Sequence, residues 1–100
     1  MRKQSIRPDP AELDRMFFAL ADATRRGMLE QLSRGSASVS ELAGAYGMAL
    51  PSIVKHLGVL EEGGLVSSSK TGRVRTYSIT PAAFARMESW VTAHKTRLEA

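Results

Sequence analysis

The chain has no cysteine among its 100 residues. That absence excludes disulfides, thiolate metal sites and cysteine nucleophiles. Histidine is scarce as well, with only His56 and His94 present. The start, MRKQSIRPDP, has no apolar run of the length a signal peptide needs, and nothing later approaches the roughly 20 apolar residues of a membrane span. A soluble cytoplasmic protein is the expectation. What is present is a hydrophobic content of 43% and a net charge of +4, with a pI near 10.0. A chain of this size supports one compact domain that buries roughly 60 to 70% of its unfolded surface. The positive field favours a polyanionic partner, although many ordinary proteins are equally basic.

Caps and breakers divide the chain. Residues 1–8 carry Arg2, Lys3, Arg7 and Pro8 with little to bury, which predicts a flexible basic tail ahead of a single domain over 9–98. Asp9 is placed to accept from first-turn amides, Pro10 sits where a missing N–H costs nothing, and Glu12 holds the third position of a capping box. Leu13, Met16, Phe17 and Leu20 then share one helical stripe. Asp22 is placed to cap a second helix in which Met28, Leu29 and Leu32 face inward, Arg25 and Arg26 stay outside, and Gly35 ends the run.

Ser38 and Glu41 have capping-box spacing and announce a third helix, with Val39, Leu42, Ala43 and Tyr46 as its apolar contacts and Gly47 as its breaker. A fourth helix runs from about Leu50 to Glu62, burying Ile53, Leu57 and Leu60, and stops at Gly63 and Gly64. Leu65–Ser69 and Val74–Ile79 are strand-like runs joined across Thr71 and Gly72, a hairpin. Thr80 and Pro81 start a last helix. The fold class is therefore mainly α (α+β), a winged helix-turn-helix of about five helices and a β-hairpin wing.

In such a pair the first helix fixes the second so that its outer side chains reach base edges in the major groove. With Ile53, Leu57 and Leu60 buried, the outer face of the fourth helix is Ser52, Lys55 and Val59, flanked by His56. Serine, lysine and histidine donate hydrogen bonds to base acceptors or phosphates, and Lys55 suits guanine O6 or N7. A polar stripe of this kind also fits a solvated helix face, and His56 also fits a hydrogen-bonded surface residue. The adjoining hairpin favours DNA: Lys70 and Arg73 surround its tip, Arg75 lies on the strand leaving it, and Tyr77 and Ile79 anchor its base. Charges on a protruding tip reach a phosphate or an adjacent minor groove.

Across residues 14–84 the chain resembles the ArsR-type winged-helix transcriptional repressors. "FALADATRRGMLEQL" is similar to that family's second-helix signature, "SVSELAGAYGMALPSIVKHLGVLEEGGLV" to its helix-turn-helix, and "GRVRTYSIT" to its wing. The resemblance implies a homodimer that binds operator DNA and represses transcription, with Ser52, Lys55 and His56 in recognition positions and the wing arginines on the backbone. Ala49 departs from the family by standing where a serine or threonine cap is frequent, and Ala23 by replacing a frequent proline. Ala49 leaves the first-turn amides open to a phosphate or to fraying. Gly27 and Gly44 each weaken a helix by roughly 0.5 to 1 kcal/mol relative to alanine.

In the last helix Phe84, Met87, Val91, His94 and Leu98 follow alternating steps of three and four, with Trp90 beside them. This is the seam spacing of two packed helices, although a stripe this short also fits packing onto its own domain. A matching stripe containing Phe17 in the first helix, and the pairing through terminal helices that the resemblance implies, favour a dimer interface. No cofactor or metal is expected. The family's sensing box needs cysteines where this chain reads "SVSEL", and the last helix offers only Glu88 and His94, on different faces. An enzyme is not expected either: Ser52 and His56 share a helix, but no acid in the sequence is placed to orient the histidine. The alternative to an operator-binding regulator is a winged-helix module that binds a protein through the Phe84–Leu98 stripe.

Overall fold

Asp9 starts the first helix as expected: its carboxylate accepts from the Glu12 amide at 2.8 Å, and α1 spans Pro10–Leu20. Only half of the expected capping box forms, because the Glu12 carboxylate turns to Arg86 at 3.4 Å. This computed structural model describes residues 9–99, so the basic tail expected over 1–8 lies outside the described residues. The Asp22 carboxylate accepts from the Arg25 amide at 3.0 Å and starts α2, Ala23–Leu32. At the third helix the box closes both ways. Ser38 Oγ accepts from the Glu41 amide at 3.1 Å, and Glu41 accepts from the Ser38 amide at 2.8 Å. That helix, α3, spans Val39–Tyr46 and ends at Gly47, whose φ of 61° is left-handed. Next, α4 covers Leu50–Glu62 with no side-chain cap at Ala49, and the last helix, α5, covers Pro81–Glu99.

The sheet is larger than the expected hairpin. Strand β1, Ala37–Ser38, pairs antiparallel with β3, Val74–Ile79, which also pairs with β2, Val66–Thr71. The order is β1-β3-β2. The turn is displaced by one residue from the expected Thr71 and Gly72, since Thr71 pairs with Val74 and leaves Gly72 and Arg73 as the corner. Gly72 has φ of 62°, and a positive φ at the first corner position is the requirement that glycine meets there.

Met16, Met28, Leu42, Ile53, Leu57, Leu60 and Leu65 are fully buried and form one core, to which Tyr77 and Met87 belong. Each contributes roughly 1.5 to 3 kcal/mol through apolar surface removed from water. The core also accounts for one of the two glycines expected to weaken a helix: a Cβ at Gly27 would stand 2.6 Å from the Tyr46 hydroxyl. Glycine there costs α2 some propensity but admits Tyr46 from α3, whose burial raises the phenol pKa. At Gly44 a Cβ would meet nothing within 4 Å, so packing gives no reason for that glycine.

Candidate nucleic-acid interface

The buried triad Ile53, Leu57 and Leu60 fixes the rotation of α4. The opposite side, with Pro51, Ser52, Val54 and Lys55, is exposed, while His56 and Val59 are half-buried. Two apolar side chains on this surface escaped the sequence reading, Leu50 at 51% exposure and Val54 at 50%. Leu50 stands three residues before Ile53 and seven before Leu57, in register with the buried stripe, so spacing alone predicts it buried, whereas Val54 follows Ile53 by one and lies off that stripe.

His56 does not stand free. Its Nδ1 lies 3.4 Å from a terminal nitrogen of Arg25 and 4.0 Å from the Asp22 carboxylate. Arg25 was expected outside the fold, but only 9% of it is exposed. Its Nε donates to the Ala19 carbonyl at 2.8 Å, and a terminal nitrogen donates to the Phe18 carbonyl at 2.9 Å. The cause is the last turn of α1, which has no basic residue of its own and leaves carbonyls without intrahelical donors. Arg26 stays exposed, as expected, yet donates to the Leu20 carbonyl at 2.7 Å. The two arginines together cap α1 from the neighbouring helix.

The fold also corrects the expectation that no acid lies near His56, because Asp22 does. A hydrolytic triad still does not result. A terminal nitrogen of Arg25 stands closer to Nδ1 than the Asp22 carboxylate does, 3.4 Å against 4.0 Å, so the carboxylate is not the group that orients the ring. Among the described residues no hydrogen bond joins Ser52 to His56. Phe18, Arg25, Met48, Ser52, Lys55, His56 and Val59 line an open depression of about 400 Å³, towards which α4 turns its polar flank.

The Asp22 carboxyl lies below its ordinary value of 3.8, chiefly because its ionised form accepts from the Arg25 amide and is then attracted by Arg25 and His56. A depressed folded-state value stabilises the fold above the unfolded value and is lost as pH falls through the folded one. Wild type is therefore expected to melt above Asp22→Asn at neutral pH, with the gap closing as pH drops below about 4. Melting curves across that range test this, and a gap independent of pH refutes it.

At the wing, Lys70 pairs with Arg75 across β2 and β3. Lys70 and Arg73 are exposed, and among the described residues neither makes an ion pair. Arg75 is held instead. It donates to Ser68 Oγ at 2.8 Å, and Ser68 donates to the Glu61 carboxylate on α4 at 3.2 Å. This chain of bonds ties the wing to α4. Tyr77 anchors the base as expected, and its burial, followed by the Glu61 charge, raises the phenol above its usual 10.0.

No group of three or more possible ligands occurs among the described residues. The segment Ser38–Leu42, which stands where the family's sensing box carries cysteines, offers only oxygen ligands, and those of Ser38 and one of Glu41 are engaged in the capping box. A thiophilic metal does not fit it.

On the terminal helices the structure splits the expected seam. Met87 is 6% exposed and Phe84 packs on the core, so both serve the chain's own interior. Phe17, Trp90, Val91, His94 and Leu98 remain exposed. Phe17 meets Trp90 edge-on at 5.7 Å between centroids, and His94 stacks on Trp90 at 4.1 Å while its Nδ1 donates to the Trp90 carbonyl at 2.9 Å. Among the described residues no helix is long and apolar enough to cross a membrane.

Comparison with known proteins agrees with this geometry. A family model described as a helix-turn-helix domain matches residues 20–68. A helix-turn-helix-type transcriptional regulator of Mycobacterium tuberculosis is 37% identical over 76 residues, 76% of this chain and 71% of the relative. The crystal structure of an ArsR family transcriptional regulator superposes with a TM-score of 0.87 at 45% identity, covering 94% of this chain and 97% of the other. The solution structure of a homodimeric winged helix-turn-helix DNA-binding domain from Mycobacterium bovis, a possible ArsR-family regulator, gives 0.70 at 29% identity over 95% and 92% of the two chains. With capped helices, recognition-type α4 and wing all in the family's order, the chain belongs to the ArsR family of winged helix-turn-helix transcriptional regulators.

Proposed function

We propose that this chain is a homodimeric cytoplasmic repressor that binds an inverted-repeat operator and has no enzymatic activity, with residues 9–98 acting as one winged domain. The observation that carries the reading is α4, locked by three buried side chains, presenting Ser52 and Lys55 to solvent beside a wing whose Lys70 and Arg73 are exposed. In this reading Ser52, Lys55 and His56 reach base edges, Lys70 and Arg73 hold phosphates, and Arg75 sets the wing. The exposed terminal residues Phe17, Trp90, Val91, His94 and Leu98 pair two chains, while Phe84 and Met87 support them from the core. Two α4 helices then meet successive major grooves, roughly 34 Å apart. Bound across a promoter, such a dimer excludes the transcription machinery.

The test begins with selection of bound DNA from a random pool and footprinting, which should return an inverted repeat. Lys70→Ala and Arg73→Ala should each weaken binding to every sequence and lower the salt slope by about one unit per lost phosphate contact. Arg75→Ala should change the slope less, since its guanidinium is engaged within the wing. A double Lys70/Arg73 variant with unchanged slope removes the phosphate role. Affinity for every DNA that is weak and random, beside tight binding of a protein through the terminal helices, would replace the operator reading altogether.

A further inference from the structure

Leu50 and Val54 leave about half of their surface in water, at 51% and 50% exposure. Isolated exposed apolar residues are ordinary, so their exposure alone says little. Their position says more. Helical spacing puts Val54 on the same flank as Glu61, seven residues on, and Glu61 accepts from Ser68 in β2. Val54 thus lies on the wing side of α4, next to the exposed Lys55. Resting on the operator reading above, we propose that Val54, with Leu50 one turn before it, reads the 5-methyl group of a thymine in each half-site.

The chemistry leaves one complementary base edge. In the major groove guanine, adenine and cytosine present hydrogen-bonding groups, and only thymine adds an apolar one. A valine against an amino or carbonyl group strips its water and returns no bond, a cost that acts against those bases. Against the methyl, the same valine gains by removing apolar surface from water on both sides. Its β-branch also fixes χ1 in a helix, so little rotamer freedom is lost on contact. Lys55 beside it supplies attraction to a guanine or a phosphate, and Val54 contributes the choice between bases that a charge alone does not make.

The experiment uses the duplex recovered by selection and replaces each thymine in turn by deoxyuridine, which deletes the methyl and keeps the pairing. With the wild-type chain, one thymine per half-site should show about fourfold weaker binding on replacement, the factor that follows from burying one carbon. Val54→Ala should bind the two duplexes equally at that position, and Leu50→Ala should reduce the discrimination without abolishing it. Melting temperature is the control for folding, since neither side chain belongs to the core. Sequence-specific binding with no methyl-sensitive position, or with sensitivity intact in Val54→Ala, overturns the proposal and leaves the operator reading standing. Binding with no sequence preference overturns both.

Discussion

Val91→Asp is expected to convert the dimer to monomers and to lower operator affinity by about a hundredfold or more, the scale on which joining two binding sites raises affinity. Val91 is 47% exposed in the single chain, so a carboxylate there remains solvated and the fold survives. In the proposed interface the same carboxylate meets the apolar surface of Trp90, Leu98 and the partner's equivalents. A charge buried without a counter-ion costs several kcal/mol, which the pair avoids by separating. Sedimentation should then report one chain per particle while the melting temperature at high dilution stays near wild type. Operator affinity should fall in parallel. A Val91→Asp protein that sediments as a dimer with undiminished affinity places the interface elsewhere on the molecule.

The second large effect concerns stability. Arg25→Met keeps an apolar stem of similar length but deletes the guanidinium, and is expected to cost about 2 to 4 kcal/mol. The carbonyl of Ala19 then loses a donor at 2.8 Å and that of Phe18 a donor at 2.9 Å. Hydrogen bonds to a charged group are among the stronger ones, and the Ala19 bond is buried. For a domain of this length the loss corresponds to a melting point lower by roughly 10 to 25 °C. Arg25→Lys should fall between the two, because a single ammonium cannot fork to both carbonyls. An Arg25→Met protein that melts with wild type would show that the α1 terminus is held by other contacts. His56 also loses its neighbour at 3.4 Å in this variant, so operator binding at low temperature measures how far Arg25 fixes the histidine for recognition.

How much was legible in the sequence depended on how far each interaction reaches along the chain. The caps Asp9, Asp22 and Ser38 act on amides three residues away. The helix bounds that depend on them were readable for that reason, as was the stop at Gly47. The buried stripe of α4 was equally plain, because a helix repeats its faces every three or four residues. The second strand of the wing, Val74–Ile79, emerged as expected.

Contacts between distant segments carried no such local signal. Strand β1 exists only because Ala37 and Ser38 find partners in Tyr77 and Thr76. Nothing within the short stretch itself marks it as extended. Arg25 lies among polar neighbours in the sequence and looks like a surface residue. Its burial follows from the carbonyls that end α1 and from His56, 31 residues away.

The sequence by itself therefore determined the five helices and the hairpin, their order, the family and the polar side chains that α4 and the wing expose, since these follow from local hydrogen bonding and periodicity. Only the tertiary structure decided that Arg25 braces α1 against α4, that Met87 faces the chain's own core and Trp90 the solvent, and that Arg75 is tied down while Lys70 and Arg73 are exposed. Each of these depends on which helix or strand lies opposite, a matter of packing between segments that spacing along one chain does not encode.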